Sequence, residues 1–406
     1  MAGLQPLRGH YLARDLARSS VRYTARTKLS PASQTQVRYK SGLYGYTQAK
    51  SLVFSEYGEP KDVLKLHSHS ISPILPNGEV LLRTLAAPIN PADVNTIQGT
   101  YGAKPSFSST LGTPEPSVIP GNEGVFEVVS SSSSALARGD WVIPKKTQFG
   151  TWRTHALAPA DAVIRIEKEG LTPAQAGTVA VNPCSAYRML RDYVTGEPLR
   201  EGDWFLQNGA NSGVGRAAIQ LGALWGYRSI NVVRARDTPE ATDKLKEELK
   251  GLGATHVVTE DEFQSREFRD MLGEWTRGSG GVRLGLNCVG GKSASTMAKN
   301  LGVGGTVVTY GGMARQPVAL PTGLLIFQDL RFVGFWLSRW ADRDPRSKEQ
   351  TVAEILGLIR EGRFRDVPTV EVPWEWETEV QTLREAVQGT LQGFRAGKGI
   401  FTFKDT

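Results

Sequence analysis

The chain has 406 residues, 40% hydrophobic and 22% charged, with 44 Gly and 22 Pro. That is ordinary soluble-globular composition, long enough for two domains and without a run of about 18 apolar residues to span a membrane. Two cysteines, Cys184 and Cys288, are too few for a disulfide scaffold or a Cys-rich structural zinc lobe. The net charge of +7 is concentrated in residues 1–50, which hold nine basic residues and one acid. Beyond them lie 39 basic and 40 acidic residues, so the body offers no broad phosphate-binding surface and a nucleic-acid partner is not expected.

At the N-terminus, Arg14, Arg18, Arg22 and Arg26 recur at every fourth position. On a helix they form one stripe, with Leu12 and Leu16 roughly opposite. The segment is rich in Ser and Thr and nearly free of acid, and it lacks the apolar block of about 7–15 residues that a secretory signal needs. It reads as a mitochondrial transit peptide over 1–45, directing the body to the matrix; the plainer alternative is a basic tail.

From residue 51 short strands alternate with turn residues. Strands are expected at 52–54, 63–66, 80–87 and 125–129, and serines 130–134 read as a loop. After about 182 the pattern becomes strand, helix, strand. Strands are expected at 204–206, 229–233, 257–258, 284–289 and 306–310, with helices at 217–225, 240–252, 263–275 and 292–301. Parallel neighbours need crossover helices, so this alternation implies a doubly wound parallel sheet. The tail (354–360, 369–372, 379–389, 400–403) is expected to return to the first domain. The fold class is therefore α/β: a mainly-β domain over 49–183 and 345–406, and a Rossmann domain over 184–344.

Residues 207–216 read Gln-Asn-Gly-Ala-Asn-Ser-Gly-Val-Gly-Arg, directly after an apolar strand and opening a helix of small residues. A pyrophosphate needs backbone close to it and gains from the N–H groups of a helix start. Gly209, Gly213 and Gly215 meet that need, with Asn211, Ser212 and Val214 between them, although the spacing G-x-x-x-G-x-G departs from the usual G-x-G-x-x-G. A merely tight strand–helix turn is the bland alternative. Where an NAD site would carry an acid about 20 residues on, this chain carries Arg234 and Arg236. Paired guanidinium donors suit a 2′-phosphate and so NADPH, with Asp237 as the discordant neighbour and two solvated surface arginines as the alternative.

Residues 51–60 (Ser-Leu-Val-Phe-Ser-Glu-Tyr-Gly-Glu-Pro), 87–95 (Ala-Pro-Ile-Asn-Pro-Ala-Asp-Val-Asn), 119–124 (Ile-Pro-Gly-Asn-Glu-Gly) and 139–142 (Gly-Asp-Trp-Val) resemble the medium-chain dehydrogenase/reductase superfamily, in which a GroES-like substrate domain precedes a Rossmann domain. The resemblance covers essentially all of 50–406. The zinc-dependent members carry a Cys near the 87–95 segment and a His in Gly-His-Glu; here the first lacks Cys and the second reads Gly121-Asn122-Glu123, so no catalytic zinc set is expected. The runs 90–101 (Asn-Pro-Ala-Asp-Val-Asn-Thr-Ile-Gln-Gly-Thr-Tyr), Arg234-Ala-Arg236, Tyr310-Gly-Gly-Met313 and Gly334-Phe-Trp-Leu337 look like the mitochondrial 2-enoyl thioester reductases, the enoyl-acyl-carrier-protein reductases of mitochondrial fatty-acid synthesis.

That resemblance implies NADPH-dependent reduction of trans-2-enoyl thioesters, with Tyr101 as the catalytic phenol, Asn95 orienting Tyr101 or the nicotinamide ribose, and Trp336 beside the acyl chain and nicotinamide. Without it, Tyr101 reads as a loop tyrosine and Trp336 as core. It also implies cofactor contacts at Asn182, Tyr310, Gly311, Gly312, Met313, Phe335 and Trp336. Lys398 is either a phosphate contact or a solvated lysine. Arg331, Arg339, Arg343 and Arg346 are candidates to meet an acidic acyl carrier protein, or plain solvated charges. Cys184 and Cys288 read as packing residues. A homodimer through the edge of the cofactor sheet, near 334–337, is expected. A quinone or alkenal reductase of the same fold, and a non-catalytic NADPH-binding protein, are the competing readings.

Overall fold

The computed structural model describes residues 42–194, 196–391 and 397–404. The presequence expected over 1–45 lies, save its last four residues, outside the described residues. An antiparallel hairpin opens the fold: β1 (Thr47–Val53) pairs with β2 (Lys65–Ile71) in the register Thr47↔Ile71. The strand expected from 63 begins at 65, because Pro60 opens a helical turn, α1 (Pro60–Val63). Proline's fixed φ favours a first helical position, and its missing N–H costs nothing there.

The long strand β3 (Glu79–Pro88) is the spine of a seven-stranded sheet. After it come α2 (Pro91–Ile97), β4 (Val125–Ser131), β5 (Trp141–Pro144), β6 (His155–Pro159) and β7 (Val163–Ile166). β4 and β6 both pair antiparallel with β3. The first two serines of the expected loop belong to β4, where Ser130 and Ser131 lie opposite Leu81 and Val80. Two helices, α3 (Pro173–Thr178) and α4 (Asn182–Asp192), lead out of this sheet.

The second sheet holds β8 (Trp204–Gln207), β9 (Arg228–Val233), β10 (His256–Thr259), β11 (Val282–Asn287), β12 (Thr306–Thr309) and β13 (Arg331–Gly334). All its pairings are parallel, in the order β10-β9-β8-β11-β12-β13. This is the doubly wound order, which reverses between β8 and β11 and opens a crevice at the strands' C-terminal ends. The crossovers are α5 (Gly213–Leu224), α6 (Pro239–Lys250), α7 (Glu260–Gln264), α8 (Glu267–Trp275), α9 (Gly291–Lys299) and α10 (Thr322–Phe327). The helix expected at 263–275 is two helices. Thr259 and Glu262 form a capping box that starts the first, and Ser265, in extended conformation, ends it and receives the Phe268 N–H.

The chain then runs through α11 (Leu337–Arg343) and α12 (Pro345–Arg360), and back into the first sheet by β14 (Thr369–Trp374), α13 (Val380–Gln388) and β15 (Lys398–Phe403). β15 pairs with β3, placing Ile400 opposite Pro88. One apolar cluster continues across both sheets, from Val125 and Ile143 through Met189 and Val352 to Phe205 and Leu284. Among the described residues no helix is long and apolar enough to cross a membrane.

Candidate active site

The glycine loop leaves β8 and enters α5, with Ser212 as the N-cap accepting the Gly215 N–H at 3.1 Å. Each glycine answers a different steric demand. Gly209 has φ +61°, and a Cβ there would run into the Cys288 sulfur. A Cβ on Gly213 would sit 2.5 Å from Asn182 Nδ2, and one on Gly215 2.5 Å from the Ala210 carbonyl oxygen. The loop is braced from below: Gln207 Nε2 donates to the Gly215 carbonyl at 3.0 Å and to Asn231 Oδ1 at 2.7 Å. Asn211 is held by Arg216, whose Nη2 reaches its Oδ1 at 2.7 Å while Nη1 binds Glu248 at 2.8 Å. Val214 is buried in the helix–sheet core. The glycines pack the turn tightly against Cys288, Asn182 and Ala210 at a helix N-terminus, and that side-chain-free turn with its N–H groups fits a dinucleotide pyrophosphate.

β9 ends at Val233 and delivers Arg234, exposed, and Arg236, half-buried, to the same rim. The Arg236 N–H donates to Thr242 Oγ1 at 2.8 Å, which fixes its backbone. Its guanidinium is pushed below the usual arginine range, first by burial and then by Arg234 and Arg216; Asp237 and Glu248 pull the other way. The charges of Arg234 and Arg216 thus bear on the Arg236 guanidinium, and a phosphate seated beside it would favour its charged form. Arg216 stands in the quoted loop, but its part in this corner was not legible from spacing.

On the facing side, the carbonyl of Asn95, in the last turn of α2, accepts the N–H groups of Thr100 and Tyr101 at 2.9 and 3.1 Å. The Asn95 main chain therefore ties the backbone of Tyr101 to the end of α2. Gly99, φ +70°, makes the intervening turn, where a Cβ would strike the Tyr57 ring. Trp336 comes from the segment between β13 and α11, 235 residues away, and its Nε1–H donates to the Tyr101 hydroxyl oxygen at 2.8 Å. The rings meet edge to face at 6.0 Å. An indole N–H can only donate, so the phenol must accept, and its own proton is left to point elsewhere. Arg339 stacks over Trp336 at 5.1 Å. Phe335 is buried, its N–H on the Thr309 carbonyl at 2.9 Å.

Between these walls, Tyr310 follows β12. Its hydroxyl stays well above the ordinary phenol range through burial and the adjacent Cys288 thiol. Gly311 lies against Cys288, Gly312 faces open space, and Met313 is 61% exposed although its N–H is tied to the Cys288 carbonyl. Burial pushes the thiols of Cys184 and Cys288 up to about 12 and about 11, so neither is a ready nucleophile.

Of the two readings of Lys398, the solvated one needs correction: Nζ donates to Asn90 Oδ1 at 2.7 Å and to Glu123 at 3.4 Å, with 9% of the side chain exposed. Glu123 also accepts the Asn90 carboxamide at 3.1 Å and the Val181 N–H at 2.7 Å. Beside them Asp93 accepts from the Asn90 N–H and from Asn122, and burial pushes it up to about 6 against the pull of those donors. The side chains of the Asn122-Glu123 segment are thus committed to hydrogen bonds. Among the described residues no three His, Cys, Asp or Glu side chains are grouped to hold a metal ion. Sequence reading passed over Asn90, Asp93 and Glu123, although all three stand in the quoted motifs.

A GroES-like sheet followed by a doubly wound parallel sheet with a glycine loop defines a medium-chain dehydrogenase/reductase. Residues 76–168 match the model of the alcohol dehydrogenase GroES-like domain, and 213–356 that of the zinc-binding dehydrogenases. A Yarrowia lipolytica protein named mitochondrial enoyl-[acyl-carrier-protein] reductase is 48% identical over 80% of this chain and 83% of its own. The mitochondrial 2-enoyl thioester reductase Etr1p/Etr2p heterodimer of Candida tropicalis superposes with a TM-score of 0.82 at 40% identity, over 87% of this chain and 99% of that one. An Etr1p/NADP/crotonyl-CoA complex gives 0.82 at 41% over the same shares. This chain belongs to the mitochondrial enoyl-[acyl-carrier-protein] reductase family.

Proposed function

We infer that the protein reduces trans-2-enoyl thioesters to acyl thioesters with NADPH, in mitochondrial fatty-acid synthesis in the matrix. The relative solved with NADP and crotonyl-CoA supports the cofactor and the substrate class, and relatives named mitochondrial support the compartment. When bound, NADPH supplies the hydride that C3 of the enoyl group accepts, and C2 must then gain a proton. The residues to hold it are the glycine loop with Asn182, the Arg234–Arg236 corner for the 2′-phosphate, and the 310–313 segment with Phe335 and Trp336 toward the nicotinamide.

The observation that carries the reading is the Trp336-to-Tyr101 hydrogen bond. It fixes the phenol oxygen as an acceptor and leaves the O–H proton for the thioester oxygen, where negative charge develops, or for C2. A phenol stays protonated at neutral pH and does not compete as a base. Steady-state NADPH oxidation tests the reading: Tyr101→Phe is expected to lower kcat on crotonyl-CoA by about 10²–10³-fold, with NADPH affinity kept. Unchanged turnover, or a quinone serving better than crotonyl-CoA in the parent protein, would refute it.

Two partners follow. Arg331, Arg339, Arg343 and Arg346 are all exposed, and Arg339 lies at the mouth beside Trp336, suited to an acidic carrier protein presenting the thioester. β13 is the open edge of the cofactor sheet, and α10 beside it exposes Leu325, Ile326 and Phe327, suited to pairing two copies.

A further inference from the structure

Tyr101 stands near the start of a long excursion between α2 and β4, and the segment 54–58 clasps that excursion near both ends. Phe54 exchanges two hydrogen bonds with Val118: its N–H donates at 3.0 Å and its carbonyl accepts at 2.9 Å. The Gly58 N–H donates to the carbonyl of Ile97, the last residue of α2, at 3.1 Å. Tyr57 lies between these two clasps, and three parts of the Tyr101 loop meet its ring. A Cβ on Gly99 would sit 2.8 Å from the ring Cγ, so the loop backbone lies flat against Tyr57 only because that residue is glycine. Lys104 Nζ stands over the ring, 4.9 Å from its centroid, and Phe107 meets it edge to face at 5.4 Å. Phe107 also meets Phe54 edge to face at 5.6 Å, and Phe54 is fully buried in the core of the first sheet. Gly99, Lys104 and Phe107, on either side of Tyr101, thus bear on one side chain. Tyr57 is 37% exposed, so its ring adds less to the core than a buried aromatic does.

We propose that Tyr57 is a positioning residue for the reduction: the loop that carries Tyr101 folds around its ring, and the ring sets where the phenol stands opposite Trp336. The proposal rests on the role given to Tyr101 above. The backbone bonds to Asn95 fix the entry to the loop, and the contacts of Lys104 and Phe107 with Tyr57 fix its path beyond Tyr101. The Tyr101 hydroxyl has to meet the Trp336 N–H at 2.8 Å across the cleft. A shift of about 1 Å at reacting groups costs about a hundredfold in rate. The ring makes all three contacts: a face for the ammonium, a partner for the Phe107 edge and a flat wall for Gly99. A phenylalanine therefore serves as well as the tyrosine, and an aliphatic side chain does not.

The test is a double-mutant cycle. Tyr57→Phe, Tyr57→Leu, Tyr101→Phe and Tyr57→Leu/Tyr101→Phe are compared with the parent for Tm, NADPH affinity by cofactor fluorescence, and kcat and KM on crotonyl-CoA. Turnover is normalised to NADPH bound, so that any unfolded fraction drops out. Tyr57→Phe is expected within about threefold of the parent in kcat, and Tyr57→Leu lower by about 10–100-fold with NADPH affinity kept. In the Tyr101→Phe background the same leucine should change kcat by less than about threefold, because a side chain that acts through the phenol has nothing left to place. An equal loss in both backgrounds would overturn the proposal, as would a Tyr57→Phe protein that loses as much as Tyr57→Leu. The two failures are distinguishable. A Tyr101→Phe protein that loses turnover beside a Tyr57→Leu protein that keeps it removes Tyr57 alone. A Tyr101→Phe protein with full turnover removes the role of Tyr101, and the proposal with it.

Discussion

Replacing Arg236 with alanine is the sharpest test of the cofactor corner. Arg236 is half-buried and its backbone is held by Thr242, so its side chain starts from a fixed point on the rim. Burial and the neighbouring Arg234 and Arg216 already disfavour its charge, so a 2′-phosphate gains both hydrogen bonds and relief of repulsion. A charge-assisted hydrogen bond contributes about 1.5–3 kcal/mol, or about 10–100-fold in affinity. Arg236→Ala is therefore expected to raise the NADPH KM by about that factor. Arg234→Ala, at an exposed position where water competes, falls at the lower end. The NADH KM should stay constant or fall slightly, because one repelling charge is gone. The assay is initial-rate oxidation of each cofactor with crotonyl-CoA at low and high salt, where the NADPH advantage of the parent protein should shrink as salt screens the exposed part. Equal losses for NADPH and NADH would refute the reasoning and assign the arginines to the fold or to the pyrophosphate.

Three further outcomes are expected. Gly213→Ala places a methyl 2.5 Å from Asn182 Nδ2 at a helix position where alanine's backbone is unstrained, so the NADPH KM should rise by about tenfold or more; an unchanged KM would remove Asn182 from the cofactor site. Arg339→Glu should slow turnover of a carrier-linked enoyl substrate while sparing the coenzyme-A-linked one, and equal loss on both would count against a carrier surface there. His155 is buried and pushed down to about 4, mainly by that burial and then by Arg83 and His69. The unfolded chain takes up a proton near pH 6.5 that the folded one refuses, so this group's stability is present above 6.5 and lost as pH falls toward 4. Denaturant titrations of the parent protein and His155→Gln should show their stability difference shift by about 2–3 kcal/mol in favour of the variant between pH 7 and 4.5. Asp93, displaced in the opposite direction, is common to both and cancels; a constant difference would sink the assignment.

Much of the fold was legible because it rests on local pattern. Strand and helix alternation after 182 announced the parallel sheet, and the glycine loop announced its crevice, since both depend on residues close in sequence. The errors were local too. Val63 looked like strand until the proline at 60 opened a turn, and one expected helix at 263–275 was cut in two by capping residues whose side chains outcompeted the helix backbone. The resemblance brought Tyr101 and Trp336 to notice as separate residues. Nothing in their spacing shows that one donates a hydrogen bond to the other.

The amino-acid sequence by itself determined the class of fold, the loop suited to a dinucleotide pyrophosphate, and the pair of arginines suited to a 2′-phosphate, because each is written in neighbouring residues and their periodicity. Only the tertiary structure decided which proton Tyr101 keeps available, that Arg216 joins the arginine corner, and that Lys398 is buried against Glu123 and Asn90 rather than solvated. Those outcomes depend on groups as far as 308 positions apart. Their meeting is set by sheet order and burial, where a charge must find its partner or remain in water.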